Sequence, residues 1–174
     1  TGFATAPDRF LDAASTERGN AHERSMVATA GADYPWRAHV LRGEVHDGNA
    51  HGLNGVGGHA GRFGPRHEVA PRGRLQLTPG HPPLSDASRA KLLRESPRSP
   101  GRSVGLVTAR ASSAARGALP DSAPGHTGFT GTSIWFDPAT LRQYVLLTNR
   151  VHPTVGTQDF QQIRHEFHTL AATL

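Results

Sequence analysis

The sequence predicts an α/β fold of the α+β kind: antiparallel sheet strands with a helix at the C-terminal end packed on them. Three observations carry this expectation. Thr132, Ile134, Trp135 and Phe136 concentrate β-branched and aromatic side chains in residues 130–136. A second apolar run, residues 144–149, follows after a Pro-containing turn. Residues 157–174 then repeat apolar side chains at three- and four-residue spacing.

Taken in chain order, residues 1–35 carry little periodicity beyond a short helix expected around 20–28, with Glu23 in its first turn. Residues 43–64 are dense in glycine, which favours tight turns and close backbone approach over regular helix or strand. Residues 65–125 are rich in Pro, Arg, Ser and Gly. They offer one plausible helix, from Ser85 or Asp86 to Arg94, with Asp86 able to cap it. The rest of that stretch reads as poorly ordered loop, and Pro71, which lacks a donor, is expected to break any helix there. Asp137-Pro138-Ala139-Thr140 is a turn, because Pro presets φ at its second position. The unbroken apolar run at 144–149 predicts burial on both faces, so that 130–136 and 144–149 form a hairpin. In the last helix Thr157 is a candidate cap and Asp159 sits at the positive end of the dipole. Its stripe of Phe160, Ile163, Phe167, Leu170, Ala171 and Leu174 is expected to pack on the hairpin.

Composition narrows the function classes. The 174 residues suffice for one domain, but only 34 are Leu, Ile, Val or Phe, a thin supply for a core that points to a need for a partner surface. Net charge is +5, and Lys91 is the only lysine among 19 basic residues. The pI of 10.9 permits a basic nucleic-acid binder. The arginines are scattered and no nucleic-acid motif accompanies them, so no nucleic-acid partner is expected. With no cysteine there is neither a disulfide framework nor a thiolate metal site. No apolar run approaches the roughly 20 residues of a membrane-spanning helix, no targeting segment is recognisable, and the compartment is not determined.

The chemistry-bearing string is Gly125-His126-Thr127-Gly128-Phe129-Thr130-Gly131-Thr132. Glycines at the approach to a buried strand let a ligand reach the main chain, and N–H groups there can bind a carboxylate or an oxyanion. His126 is a possible proton donor or anion partner near neutral pH. On these residues alone, a plain turn bearing a surface histidine is the stronger reading.

The longer pattern resembles a known family. His126-Thr127-Gly128 before a strand, a hairpin and a terminal helix is similar to the third motif of serine β-lactamases. Asp137-Pro138, Leu146-Leu147-Thr148-Asn149-Arg150-Val151-His152-Pro153, Gly43-Glu44-Val45-His46-Asp47-Gly48-Asn49-Ala50 and Gly57-Gly58-His59-Ala60-Gly61-Arg62-Phe63 also resemble segments of β-lactamase-related serine hydrolases, the penicillin-binding and esterase types included. The resemblance implies the C-terminal part of a β-lactamase-like fold, completed by an N-terminal strand pair and a helical region. It implies acyl-enzyme chemistry on an ester or amide substrate without a cofactor. His126 would help position substrate and relay protons where many members carry Lys. Thr127, with Gly128 in the same triplet, would bind a substrate carboxylate or carbonyl, and the backbone N–H of Phe129 would serve the oxyanion hole.

Two departures qualify it. The family nucleophile lies in a Ser-x-x-Lys motif, and the one match here, Ser88-Arg89-Ala90-Lys91, comes after the glycine-rich segment and only 38 residues before His126. That order is wrong, so Ser88 reads as a surface-helix residue. The nucleophile is expected from an N-terminal half of the same domain, and the isolated chain is expected to be inactive. The second departure is Gly64-Pro65-Arg66-His67-Glu68-Val69-Ala70-Pro71, where relatives continue into an Ala-rich helix. His46, Asp47, His51, His59 and His67 also suit a metal-dependent hydrolase. Their spacing fits no zinc signature, so no metal is expected, and His46, Asp47 and Asn49 read as loop hydrogen-bonding residues, with His59 packed in the loop.

Overall fold

The computed structural model describes residues 2–3, 7–27, 33–80 and 82–174. They fall into two compact units. One comprises residues 1–65 and 149–157, the other residues 66–148 and 158–174.

The first unit is built mostly of loop around buried polar side chains. A 3-10 helix spans Pro7–Asp12, and two short helices follow, α1 (Ala21–Val27) and α2 (Gly48–Gly52). Residues 16–19 run antiparallel to 39–41: the Thr16 N–H donates to Leu41, the Leu41 N–H to Glu17 and the Gly19 N–H to His39. Gly19 has φ +67°, and a Cβ there would lie 2.4 Å from the Arg37 carbonyl, so the close approach of these segments requires glycine. The segment 149–157 completes the unit. The Asn149 side chain donates to the Ser15 carbonyl, His152 Nδ1 lies 2.9 Å from the Thr16 carbonyl, and Val151 is buried. Helix α2 corrects the expectation that the glycine-rich stretch holds no helix. Asp47 caps its first turn by accepting from the Ala50 N–H at 2.7 Å, which is enough to nucleate one turn.

The second unit is the α+β architecture the sequence predicts. Helices α3 (Arg66–Leu77) and α4 (Asp86–Leu93) precede a four-stranded antiparallel sheet. Its strands, in spatial order, are β1 (Val107–Thr108), β2 (Pro124–Thr127), β3 (Ser133–Asp137) and β4 (Arg142–Leu146), followed by the terminal helix α5 (Phe160–Ala172). In register, Gly125 faces Trp135, His126 faces Ile134 and Thr127 faces Ser133. Asp137 makes the β3–β4 turn by accepting from the Ala139 N–H and the Thr140 hydroxyl.

Several expectations are corrected here. Helix α3 runs through Pro71. The proline withdraws the N–H that would serve the His67 carbonyl, one turn back near the helix start, and Gln143 Nε2 of β4 donates to the Ala70 carbonyl at 2.7 Å. Gly73 lets the helix lie against Gln143 and Phe136, whose side-chain atoms stand where a Cβ would go. Strands β1 and β2 occupy ground read as loop or strand approach, and β3 begins at Ser133 rather than residue 130. In β4 only Tyr144 is fully buried, so the strand is not covered on both faces. Helix α4 starts as expected but is capped by Ser85, not Asp86.

Helix α5 is capped by Asp159, not Thr157, and it is turned on its axis relative to the expected stripe. Leu170 and Leu174 are 69% and 93% exposed, while Arg164 and His168 are buried. The buried side lies roughly a quarter turn from the centre of the apolar stripe, by the 3.6-residue period. Small residues decide the fit: Ala171 and Ala172 pack against the core of Ala109, Ala114, Ala115, Leu119, Ala123, Trp135 and Tyr144.

His168 is the polar centre of that contact. It is 0% exposed, edge-on to Trp135, Tyr144 and Phe167, with Nε2 3.0 Å from the Ser133 hydroxyl. Burial, with Arg164 and His165 adding positive charge nearby, lowers its pKa from 6.5 to about 4. The folded state thus takes up this proton later than the unfolded state does. The stabilisation is complete above about pH 6.5 and is lost as pH falls toward 4, amounting to about 3 kcal/mol across that window. Urea unfolding at pH 7 and pH 4 should show this loss, and His168→Leu should flatten it. An equal acid loss in the variant would assign the effect to other groups.

Candidate active site on the β2–β3 hairpin

The residues singled out by sequence come together at one end of this hairpin. His126 and Thr127 are the last two residues of β2, and Gly128–Thr132 make the turn into β3. By strand alternation His126 shares a face with Ile134 and Val145, opposite the face on which Trp135 and Tyr144 meet α5. His126 is exposed, Thr127 and Gly128 are half-buried and Phe129 is 41% exposed. Strand β1 pairs with Pro124 and Gly125 only, so its ladder stops short of His126 and Thr127.

The glycines of this string serve the protein's own packing. A Cβ on Gly125 would lie 2.4 Å from the Ile134 carbonyl and from the Trp135 ring, which lies against the glycine of its cross-strand pair. A Cβ on Gly128 would meet the Thr132 hydroxyl at 2.3 Å. Gly131, at φ +121°, closes the turn by donating its N–H to the Gly128 carbonyl.

The turn is held in part by Arg164, a residue that none of the sequence patterns marks. The Gly128 N–H donates to the Thr132 carbonyl at 2.7 Å. Arg164 Nη2 donates to the Gly128 carbonyl at 2.6 Å and to the Thr132 carbonyl at 3.2 Å. The Thr148 hydroxyl donates to the Gly131 carbonyl at 2.6 Å. Arg164 stood four residues after Phe160 on the same side of the helix, and that spacing was the available signal.

The other candidates are placed elsewhere. Ser88 and Lys91 lie exposed on α4, where Ser88 hydrogen-bonds the Ser85 cap. In the first unit, His46 is buried with Nε2 2.9 Å from Glu17 Oε2. Asp47 caps α2 and also meets His59 Nε2 at 3.1 Å, so His59 is a half-exposed ligand of Asp47 and not simply a packed residue. Burial works to raise the Asp47 pKa, but the Ala50 N–H and His59 outweigh it and hold the carboxyl below its usual value. Burial likewise works against Glu44, and hydrogen bonds from His39 and Arg37 outweigh it. Among the described residues no three His, Cys, Asp or Glu side chains gather where a metal could be held. No described helix is long and apolar enough to cross a membrane.

Over 128 residues, 69% of its length, the chain is 35% identical to proteins of Salmonella agona, Salmonella newport and Salmonella dublin, each named "Putative D-alanyl-D-alanine carboxypeptidase". The match spans about 30% of those relatives' own length. No family model and no solved structure matches the sequence.

Proposed function

We propose that these residues form the His-Thr-Gly portion of a β-lactamase-related serine hydrolase, of the penicillin-binding, peptidase or esterase type, acting through an acyl-enzyme. The observation that carries the reading is the hairpin end: an exposed His126 and a half-buried Thr127 on a strand whose ladder ends beside them, followed by a turn tied by three side-chain hydrogen bonds. The similarity to proteins named for D-alanyl-D-alanine carboxypeptidase activity supports the same class.

In this reading a serine hydroxyl attacks the acyl carbon of an ester or amide, and the carbonyl oxygen becomes an oxyanion that accepts from the Phe129 N–H. The C–O or C–N bond breaks, the leaving group takes a proton through a relay that His126 assists, and water releases the acyl group. Thr127 donates its hydroxyl to a carboxylate or carbonyl of the substrate, beside the main chain of Gly128. The serine comes from a segment outside these 174 residues, the N-terminal half of the same domain, because Ser88 stands on a surface helix in the wrong order. The 174 residues by themselves are inactive. An imidazole in place of the family lysine favours esters over substrates recognised by a carboxylate.

The test uses a protein of the relatives' full length that contains these residues. His126→Ala should lower kcat/KM for a short-chain ester by roughly 10²-fold, a typical loss for a positioned acid–base group. His126→Lys should move preference toward carboxylate-bearing substrates. A folded Ala variant with unchanged activity would reduce His126 to a surface residue.

A further inference from the structure

Helix α5 reaches the hairpin turn with one charged side chain. Arg164 is buried, its Nη1 donates to Gln161 Oε1 at 3.0 Å, and its guanidinium lies 5.0 Å from the Phe160 ring centre. These contacts fix the guanidinium plane, and Nη2 then bridges the carbonyls of Gly128 and Thr132. A trans peptide is planar, with its C=O and N–H pointing in opposite directions. Binding the Gly128 carbonyl therefore fixes where the next N–H points: the Phe129 N–H is directed away from Arg164. The Thr148 hydroxyl does the same for the Gly131–Thr132 peptide through the Gly131 carbonyl. A cation on the carbonyl oxygen also polarises the peptide, which makes its N–H a stronger donor.

We infer that Arg164 is the positioning residue of the oxyanion donor: from behind the turn it orients and polarises the Gly128–Phe129 peptide without touching substrate. This rests on the hydrolase reading above and assigns that site a residue on the terminal helix. Lysine cannot replace it fully, because an ammonium on a flexible stem has no plane for Gln161 and Phe160 to fix while it donates to the two carbonyls.

Two measurements separate the parts. In the 174-residue chain, amide hydrogen exchange is compared for wild type, Arg164→Lys and Arg164→Met. With Met, exchange at residues 128–132 should accelerate at least about tenfold while β3 and β4 amides keep their rates. Lys should fall between. Unchanged exchange at 128–132 overturns the clamp, and uniform acceleration throughout the unit reduces Arg164 to a general stabiliser; if Met prevents folding, the Lys variant decides on the same criterion. In the full-length protein, Arg164→Lys should lower kcat for a p-nitrophenyl ester by roughly 10-fold and Arg164→Met by roughly 10²-fold, the scale of a lost oxyanion donor. KM should change less than about threefold, since the interaction belongs to the transition state. Parallel loss in kcat and gain in KM would overturn the positioning role. A full-length wild type that hydrolyses no ester or amide overturns the hydrolase reading and the catalytic role with it, while the exchange result still decides the clamp.

Discussion

Gly125→Ala should destabilise the second unit by at least about 3 kcal/mol, the upper end of overpacking effects. The added methyl would lie 2.4 Å from both a backbone carbonyl and the buried Trp135 ring. Neither can yield cheaply. The Ile134 carbonyl belongs to the β3 backbone beside Gly125, and Trp135 is enclosed by Ala109, Ala114, Ala115, Leu119 and Ala123. Relief requires β2 and β3 to separate at the Gly125–Trp135 pair, next to the His126–Ile134 pair. A fall in melting temperature of more than about 10 °C follows for a unit of this size. Near-ultraviolet circular dichroism should show loss of the fixed Trp135 environment in the same transition. An unchanged midpoint would mean that the Gly125–Trp135 pair is not packed as described.

Arg37→Met should cost the first unit about 3–5 kcal/mol, the range for breaking a buried charged network. The Arg37 guanidinium donates to Asn20 Oδ1 at 2.9 Å, to Glu44 at 3.2 Å, to the Val45 carbonyl at 2.5 Å and to the His46 carbonyl at 2.7 Å. Its side chain is 7% exposed. Methionine matches much of its volume and supplies no donor, so the Asn20 and Val45 acceptors are stranded. Asn20 Nδ2 still reaches the His46 carbonyl at 2.8 Å, which limits the damage there. Amide exchange at Thr16, Gly19 and Leu41 reads the effect, because these residues form the antiparallel pairing beside Arg37. Retained protection at all three would show that Glu17, Asn20 and His46 hold the unit without the cation.

Much of this was legible in the residues themselves. β-Branched and aromatic content, the apolar run after it and the Asp137-Pro138 turn located the β3–β4 hairpin, since strand propensity and a fixed φ are local properties. The 3- and 4-residue spacing likewise located α5. The triplet His126-Thr127-Gly128 was legible as a candidate site, and it falls where β2 ends at the hairpin turn.

Only the tertiary structure decided how these pieces meet. Nothing local says that Gly125 faces Trp135, so the strand character of β2 was hidden under glycine, proline and histidine. Helix α3 runs through Pro71, and Gln143, far along the chain, donates to its Ala70 carbonyl, a contact that no local pattern contains. The polar side of α5 faces inward because Arg164 and His168 find carbonyl and hydroxyl partners on the hairpin, a match between two surfaces that no periodicity contains. The sequence by itself determined where β3, β4, the last helix and the candidate triplet lie, because those depend on neighbours in the chain. Which side of each element is buried, and which buried cation holds the turn beside the triplet, depend on partners far away in sequence, and folding alone brought them together.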